Sequence, residues 1–207
     1  MHLSKTISGN DVSVQCHEAL SEQGNWLLEQ VQKVADEKGT TTVVRAGYRI
    51  QIGWSVVTLR AVAKMAFILL EPDFSEDPFH RFRDDVTCTL RVQAEQNDLS
   101  SSVVVEPIAT SFQDKVIYSR GCLGERRIYL ERKVPSPADS GWFIGPGNSV
   151  ASNNRHEHYD ACYAYELLKL RPEVMKVLQL PPGYLVVFDG TEIEAIVTPT
   201  NEAVYSR

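Results

Sequence analysis

The sequence predicts an α+β fold in two parts: an antiparallel sheet with packed helices over residues 1–134, and a small α+β domain over 135–207. Three observations lead there. Apolar residues recur at helical spacing over 16–38 and 79–97. Short alternating or β-branched runs bounded by Gly and Pro lie around them. The stretch "KVPSPADSG" then packs two prolines, two serines and a glycine into nine residues, the composition of a linker.

Taken in order, Leu20, Trp26, Leu27, Val31 and Val34 share a helical stripe, with Gln, Glu and Lys between them. Gly24 costs a helix up to ~1 kcal/mol, so the firm helix is expected from about Asn25, and Gly39 ends it. The run Thr40-Thr41-Thr42-Val43-Val44 is β-branched, and Gly47 punctuates a turn. In "YRIQIGWSVVTL", Ile50, Ile52 and Trp54 alternate with Arg49, Gln51 and Gly53, as in one strand with a wet face. "MAFILLEP" reads as a more buried strand stopped by Pro72. Phe79, Phe82, Val86 and Leu90 predict a helix running to about Asn97. Val86, Cys88, Leu90 and Val92 also alternate as a strand would, and the helix is favoured. Short strands near 103–105, 115–118 and 127–131 complete the sheet.

Beyond the linker, Trp142 to Ile144 forms a short strand and a helix is expected over 157–170. Pro172 opens another helical turn containing Val174, Val177 and Leu178. Pro181-Pro182-Gly183 turns the chain into "YLVVF", and Asp189-Gly190 is a hairpin signal joining it to "EIEAIVT".

Composition narrows the function. With 43% hydrophobic and 23% charged residues, the chain is of soluble globular type. A net charge of −6 argues against the basic face of a nucleic-acid binder. Residues 1–134 carry 16 basic and 18 acidic side chains, and 135–207 carry 5 and 9. The second part is the more anionic per residue, which suits a basic protein partner. No apolar core with a small-residue cleavage site follows Met1. The apolar stretch from Met65 to Leu70 is far shorter than the ~20 residues of a membrane span. Cys16, Cys88, Cys122 and Cys162 are scattered without a CxxC pair, as reduced thiols are. The expectation is a cytoplasmic protein in contact with neither membrane nor nucleic acid.

Candidate chemistry is sparse. "GWFIGPGN" has Gly145 and Gly147 but neither the Lys-Ser/Thr pair of a phosphate loop nor the spacing of a dinucleotide turn, so a bend explains it. His156, His158 and Cys162 form the densest polar cluster, with His158 and Cys162 on one face of the expected helix. They fall short of a full zinc ligand set, so no metal or cofactor is assigned. Glu71, Asp73, Glu76 and Asp77 in "EPDFSEDP" depart from the ligand alternation of a calcium loop and read as a solvated acidic loop or an acidic knob for a basic partner. Cys122 is flanked by Arg120, Arg126 and Arg127, which can lower a thiol pKa, yet no histidine lies nearby in sequence. There is no G-x-S-x-G elbow. Trp54, Tyr48, Trp142, Tyr159, Tyr163 and Tyr165 are candidate interface anchors or core residues.

"DSGWFIG", "RPEVMKVLQLPPG" and "YLVVFDGTEIEAI" together resemble the small C-terminal domain of immunity proteins from bacterial type VI secretion and polymorphic-toxin systems. "RIQIGWSVVTL", "LLEPDFSEDP" and "GERRIYLERKVPSPADSGW" are similar to such proteins too. The resemblance implies a cytoplasmic antidote that neutralises one cognate effector toxin, often a nuclease, by direct contact and without catalytic residues. In that picture Glu71, Asp73, Glu76 and Asp77, or Asn153, Asn154, Arg155, His156, Glu157 and His158, face the toxin, and a homodimer is compatible. Two other classes stay open: a regulatory domain binding a small ligand, and a small hydrolase or transferase using Cys122 or His156 and His158.

Overall fold

The structure, a computed structural model, describes residues 1–147 and 158–206. It is mixed α+β, as the sequence predicts, with two sheets. The chain divides into two compact units, Met1–Ala94 and Glu95–Arg207. The division falls inside a helix, not after Val134. Pro135 and Pro137 lie instead in the connection between two antiparallel neighbours of the second unit's sheet, where they shape a hairpin rather than a linker.

In the first unit, β1 (His2–Ile7) and β2 (Asn10–Gln15) form a hairpin, followed by helix α1 (Ser21–Lys38) and the single helical turn α2 (Thr40–Val43). α1 runs straight through Gly24. A Cβ there would lie 2.6 Å from Leu3 Cδ1, so the missing side chain lets the helix close on the hairpin. The single strand expected over 48–59 is a hairpin of β3 (Arg49–Ile52) and β4 (Ser55–Ala63). Ile52 pairs with Ser55 across Gly53-Trp54, and Gly53 takes φ +51°. Trp54 turns inward, donates Nε1–H to Thr89 O at 3.2 Å and stacks on Phe74 at 4.7 Å.

β5 (Ala66–Pro72) follows as expected, and β6 (Phe82–Arg83) pairs with it. The order is β1-β2-β5-β4-β3, with β2 and β5 parallel. Helix α3 spans Thr87–Ser102, so the helical reading holds over 87–97 but Phe79 and Phe82 precede it. The cause is local capping. Asp77 accepts from the Phe79 and His80 N–H groups, and Asp85 accepts from that of Thr87, so each carboxylate starts a separate turn. Leu27, Leu28, Val31 and Ala35 of α1 bury their stripe against Val12, Val14, Ile50, Val57, Leu59 and Leu69. Each of the Val, Leu and Ile side chains among them contributes about 1.5–3 kcal/mol of burial.

In the second unit a strand was expected over 103–105. The chain instead leaves α3 through a turn, with Val105 N–H on Ser100 O and Val104 at φ +52°. Its sheet holds β7 (Lys115–Ser119), β8 (Arg127–Arg132), β9 (Asp139–Pro146), β10 (Tyr159–Tyr163), β11 (Leu185–Asp189), β12 (Glu192–Val197) and β13 (Ala203–Ser206). The order is β10-β7-β9-β8-β11-β12-β13, with β7 and β9 parallel. The strands near 115–118 and 127–131 therefore exist, but in this sheet. β10 stands where a helix was expected over 157–170. Its residues pair with β7, and only α4 (Leu167–Leu170), after a 3₁₀ turn at Ala164–Glu166, is α-helical. The Asp189-Gly190 hairpin and the turn opened by Pro172 are as expected.

Arg132 organises the interior of this unit. Only 1% exposed, it donates Nε–H to Ser140 O and Nη1–H to Ile108 O and Leu180 O, both at 2.6 Å. Its guanidinium lies over the Trp142 ring at 5.5 Å. Trp142 Nε1–H and Thr110 Oγ1–H both reach Leu178 O, at 3.1 and 2.6 Å. Burial pulls the Arg132 pKa down to about 10. Arg171 plays a similar part, donating to Leu123 O, Glu125 O and Gly190 O while pairing with Glu173. Arg132→Met removes the donors and strands buried carbonyls, so urea unfolding of the second unit should show a loss of about 3 kcal/mol or more. A loss under about 1 kcal/mol contradicts this role.

Candidate partner-binding surface

Strand side chains alternate between faces, and in the second unit one face is the core. Val116, Ile128, Leu130, Trp142, Ile144, Val186, Phe188 and Ile196 are all buried there. The opposite face carries a largely apolar band. At one register level Ala161, Ile117, Phe143, Glu131, Leu185 and Val197 run across six strands. At the next, Gly145, Tyr129, Val187 and Ala195 run across four.

Three aromatic rings form a track over this face. Tyr129 and Phe143 lie 6.0 Å apart, and Phe143 meets Tyr159 edge-on at 5.8 Å. Such pairs add about 0.5–1.5 kcal/mol beyond burial and fix ring orientation. Tyr129 is pinned from below, since a Cβ on Gly145 would lie 2.4 Å from its Cε1. The glycine's vacant face is what lets the ring lie flat. Tyr159 remains 53% exposed and Ile117 38%. At the border, Arg127 forms a two-pronged pair with Glu194, at 2.7 and 2.9 Å. The charge beside the apolar track is thus internally matched.

A family model described as the Imm33-like domain matches residues 95–199. The chain belongs to the Imm33-like family. That family is immunity-protein-like, which agrees with the resemblance drawn from the sequence at the level of family. The match covers the second unit almost end to end and includes the whole aromatic track. Neither a curated protein nor a solved structure matches the chain.

Of the residues expected to face a partner, Asn153, Asn154, Arg155, His156 and Glu157 lie outside the described residues. His158 is exposed, directly precedes Tyr159, and its carbonyl accepts from Arg120 N–H at 2.9 Å. Among the expected anchors only Tyr159 joins the track. Trp54 and Trp142 are core, and Tyr163 stacks on Tyr165. Tyr129, Phe143 and Ile117 were missed. Alternation in "RIYLER" separates two faces but does not say which is covered.

The acidic loop of the first unit is not a free cluster. Asp73 accepts from Ser75, Glu76 pairs with Arg81, and Asp77 holds the His80 ring at 2.9 Å. Glu71 is not in the loop at all. It lies in β5, 2% exposed, and accepts Thr89 N–H at 2.7 Å. The thiol reading of Cys122 meets a physical obstacle: it is buried, donates to Ile144 O, and burial pushes its pKa up to about 11, away from a thiolate. The arginines around it are held by Asp160, Asp189 and Glu194. His158 directly precedes β10 and Cys162 lies within it, so the two do not share a helix face, and no metal-holding group of His, Cys, Asp and Glu occurs among the described residues.

Burial raises Glu71 from an ordinary 4.5 to about 7, against the pull of Thr89 and Arg83. The folded state therefore holds this proton more tightly than the unfolded chain. The stability it contributes is complete below pH 4.5 and is lost as pH rises through about 7. Unfolding of wild type should weaken across that window by on the order of 2–3 kcal/mol relative to Glu71→Gln. Parallel pH curves for the two proteins contradict the assignment.

Proposed function

We propose that this Imm33-like protein binds and neutralises a cognate effector toxin of a type VI secretion or polymorphic-toxin system in the cytoplasm, by contact and without catalysis. The observation that carries the reading is the outward sheet face of the family-matched unit, with its track Tyr129, Phe143 and Tyr159 beside Ile117. Interface anchors are typically rigid aromatic side chains surrounded by contacts that exclude water. A ring seated on Gly145 loses little further freedom when a partner covers it, which lowers the cost of binding. The net charge of −6 favours encounter with a basic protein, and a nuclease needs a basic surface for its own substrate. Contact at Asp73, Glu76, Asp77 and the 153–158 segment belongs to this proposal as well. Glu71 drops out of it because its carboxyl is buried.

The test is co-expression with the product of the adjacent reading frame, scoring survival and co-purification. Survival that depends on this chain, with a stable complex, is expected. Ile117→Asp and Tyr159→Ala, both at exposed positions, should leave the circular dichroism spectrum intact and weaken the complex by about 30-fold or more each. A full-strength complex in the double variant overturns the choice of face. A toxic neighbour that this chain neither binds nor silences overturns the immunity reading.

A further inference from the structure

The first unit lies outside the family match, and its chemistry is unassigned. It contains a cleft of about 540 Å³, lined among others by His17, Glu71, Arg83, Asp85, Thr87 and Arg91. That is a small-molecule volume, within the roughly 300–1,000 Å³ of ordinary ligand sites.

Its two arginines stand apart from the others. Arg45 and Arg49 lie against aromatic rings, and Arg60, Arg81, Arg120, Arg126, Arg127 and Arg171 hold carboxylates. Arg132 is caged by carbonyls. Among the described arginines, the side chains of Arg83 and Arg91 alone make no hydrogen bond, close ion pair or ring contact; the Arg83 charge acts at longer range on Glu71 and Asp73, and both arginines line this cleft. Arg83 stands cross-strand from Glu71 and its charge acts on that carboxyl, which accepts Thr89 N–H and forms no close ion pair with it. The amides at the start of α3 are likewise taken, Thr87 N–H by Asp85 and Thr89 N–H by Glu71. What the cleft offers a ligand is therefore two guanidinium groups rather than a helix end.

We propose that the cleft binds a small oxyanion, a carboxylate or a tetrahedral phosphate-type group, held by Arg83 and Arg91. Guanidinium forks match both shapes with paired N–H donors. Glu18 and Asp85 at the rim limit the anionic charge the site accepts, favouring a compact anion over a polyanion. Glu71 couples the site to pH. Sharing the cleft with it are Arg83 from β6, Asp85 before α3, Cys88 and Arg91 from α3, His17, Glu18 and Cys16 after β2, and the Met1 amine, which donates to Cys16 O; Thr89 N–H donates to Glu71 itself. An incoming anion favours the protonated Glu71, so binding takes up a proton and tightens as pH falls.

The inference rests on no part of the immunity reading. It is tested by titration calorimetry of the full chain with sulfate and with succinate, the first for the tetrahedral group and the second for the carboxylate. Saturable binding in the millimolar range is expected, tighter for sulfate at about pH 6 than at about pH 8. Arg83→Gln and Arg91→Gln should each weaken it by about tenfold, a typical loss for one charge-assisted contact. Arg81→Gln, whose guanidinium already pairs with Glu76, should leave it unchanged. Glu71→Gln should keep binding and lose its pH dependence. Absence of saturable binding by both anions overturns the proposal, as does binding that the Arg83→Gln, Arg91→Gln double variant leaves unchanged. A double variant that instead weakens capture of a protein partner, with neither anion bound, assigns the arginines to that partner and overturns it too.

Discussion

A single positive charge inside the second unit sets what the rest of that unit can be. Arg132 is buried among carbonyls of Ile108, Ser140 and Leu180, three segments distant in sequence. Leaving any of them unpaired in the interior costs more than an ordinary hydrogen bond contributes, so the segments are fixed together or not at all. Trp142 and Thr110 converge on the neighbouring Leu178 carbonyl and extend the same constraint. The other side of the sheet is only partly buried at Tyr129, Phe143 and Leu185. The exposed Tyr159 and Ile117 can then answer to a partner rather than to the fold.

Much of this architecture was legible in the residues. The helix ending at Gly39, the buried strand stopped by Pro72 and the Asp189-Gly190 hairpin each rest on one strong local signal, and each stands in the structure. Failures came where two signals competed or where a remote pairing decided. Phe79 and Phe82 kept a helical spacing, but the Asp77 and Asp85 side chains restarted the backbone twice before α3. The 157–170 stretch carries helix formers. Pairing of its Tyr159–Tyr163 part with β7, about forty residues earlier, overrode them. Nothing local in "KVPSPADSG" distinguishes a linker from a hairpin, because prolines and a glycine serve both.

The candidate surface was less legible than the fold, for a physical reason. Alternation in a strand gives two faces and is silent on which one is covered. Tyr129 and Phe143 could be placed only by the strand register, which sets them on the face away from Leu130 and Trp142. In the first unit, composition did not separate Glu71 from the rest of its run. Four carboxylates in a short run read as a solvated acidic loop or an acidic knob; Asp73, Glu76 and Asp77 stay in a surface loop with local partners, and Glu71 is interior.

The strand order has a consequence in time. β8 lies between β9 and β11, and β11 is about fifty residues further along the chain. During synthesis the middle of the sheet stays an open edge until β11 has left the ribosome, and the Arg132 cage cannot close before Leu180 arrives. Folding dominated by such remote pairings is slow relative to helical domains. A nascent chain of this kind exposes unpaired β8 to its neighbours during that interval, so its rate of supply in the cell depends on how quickly the last strands are made.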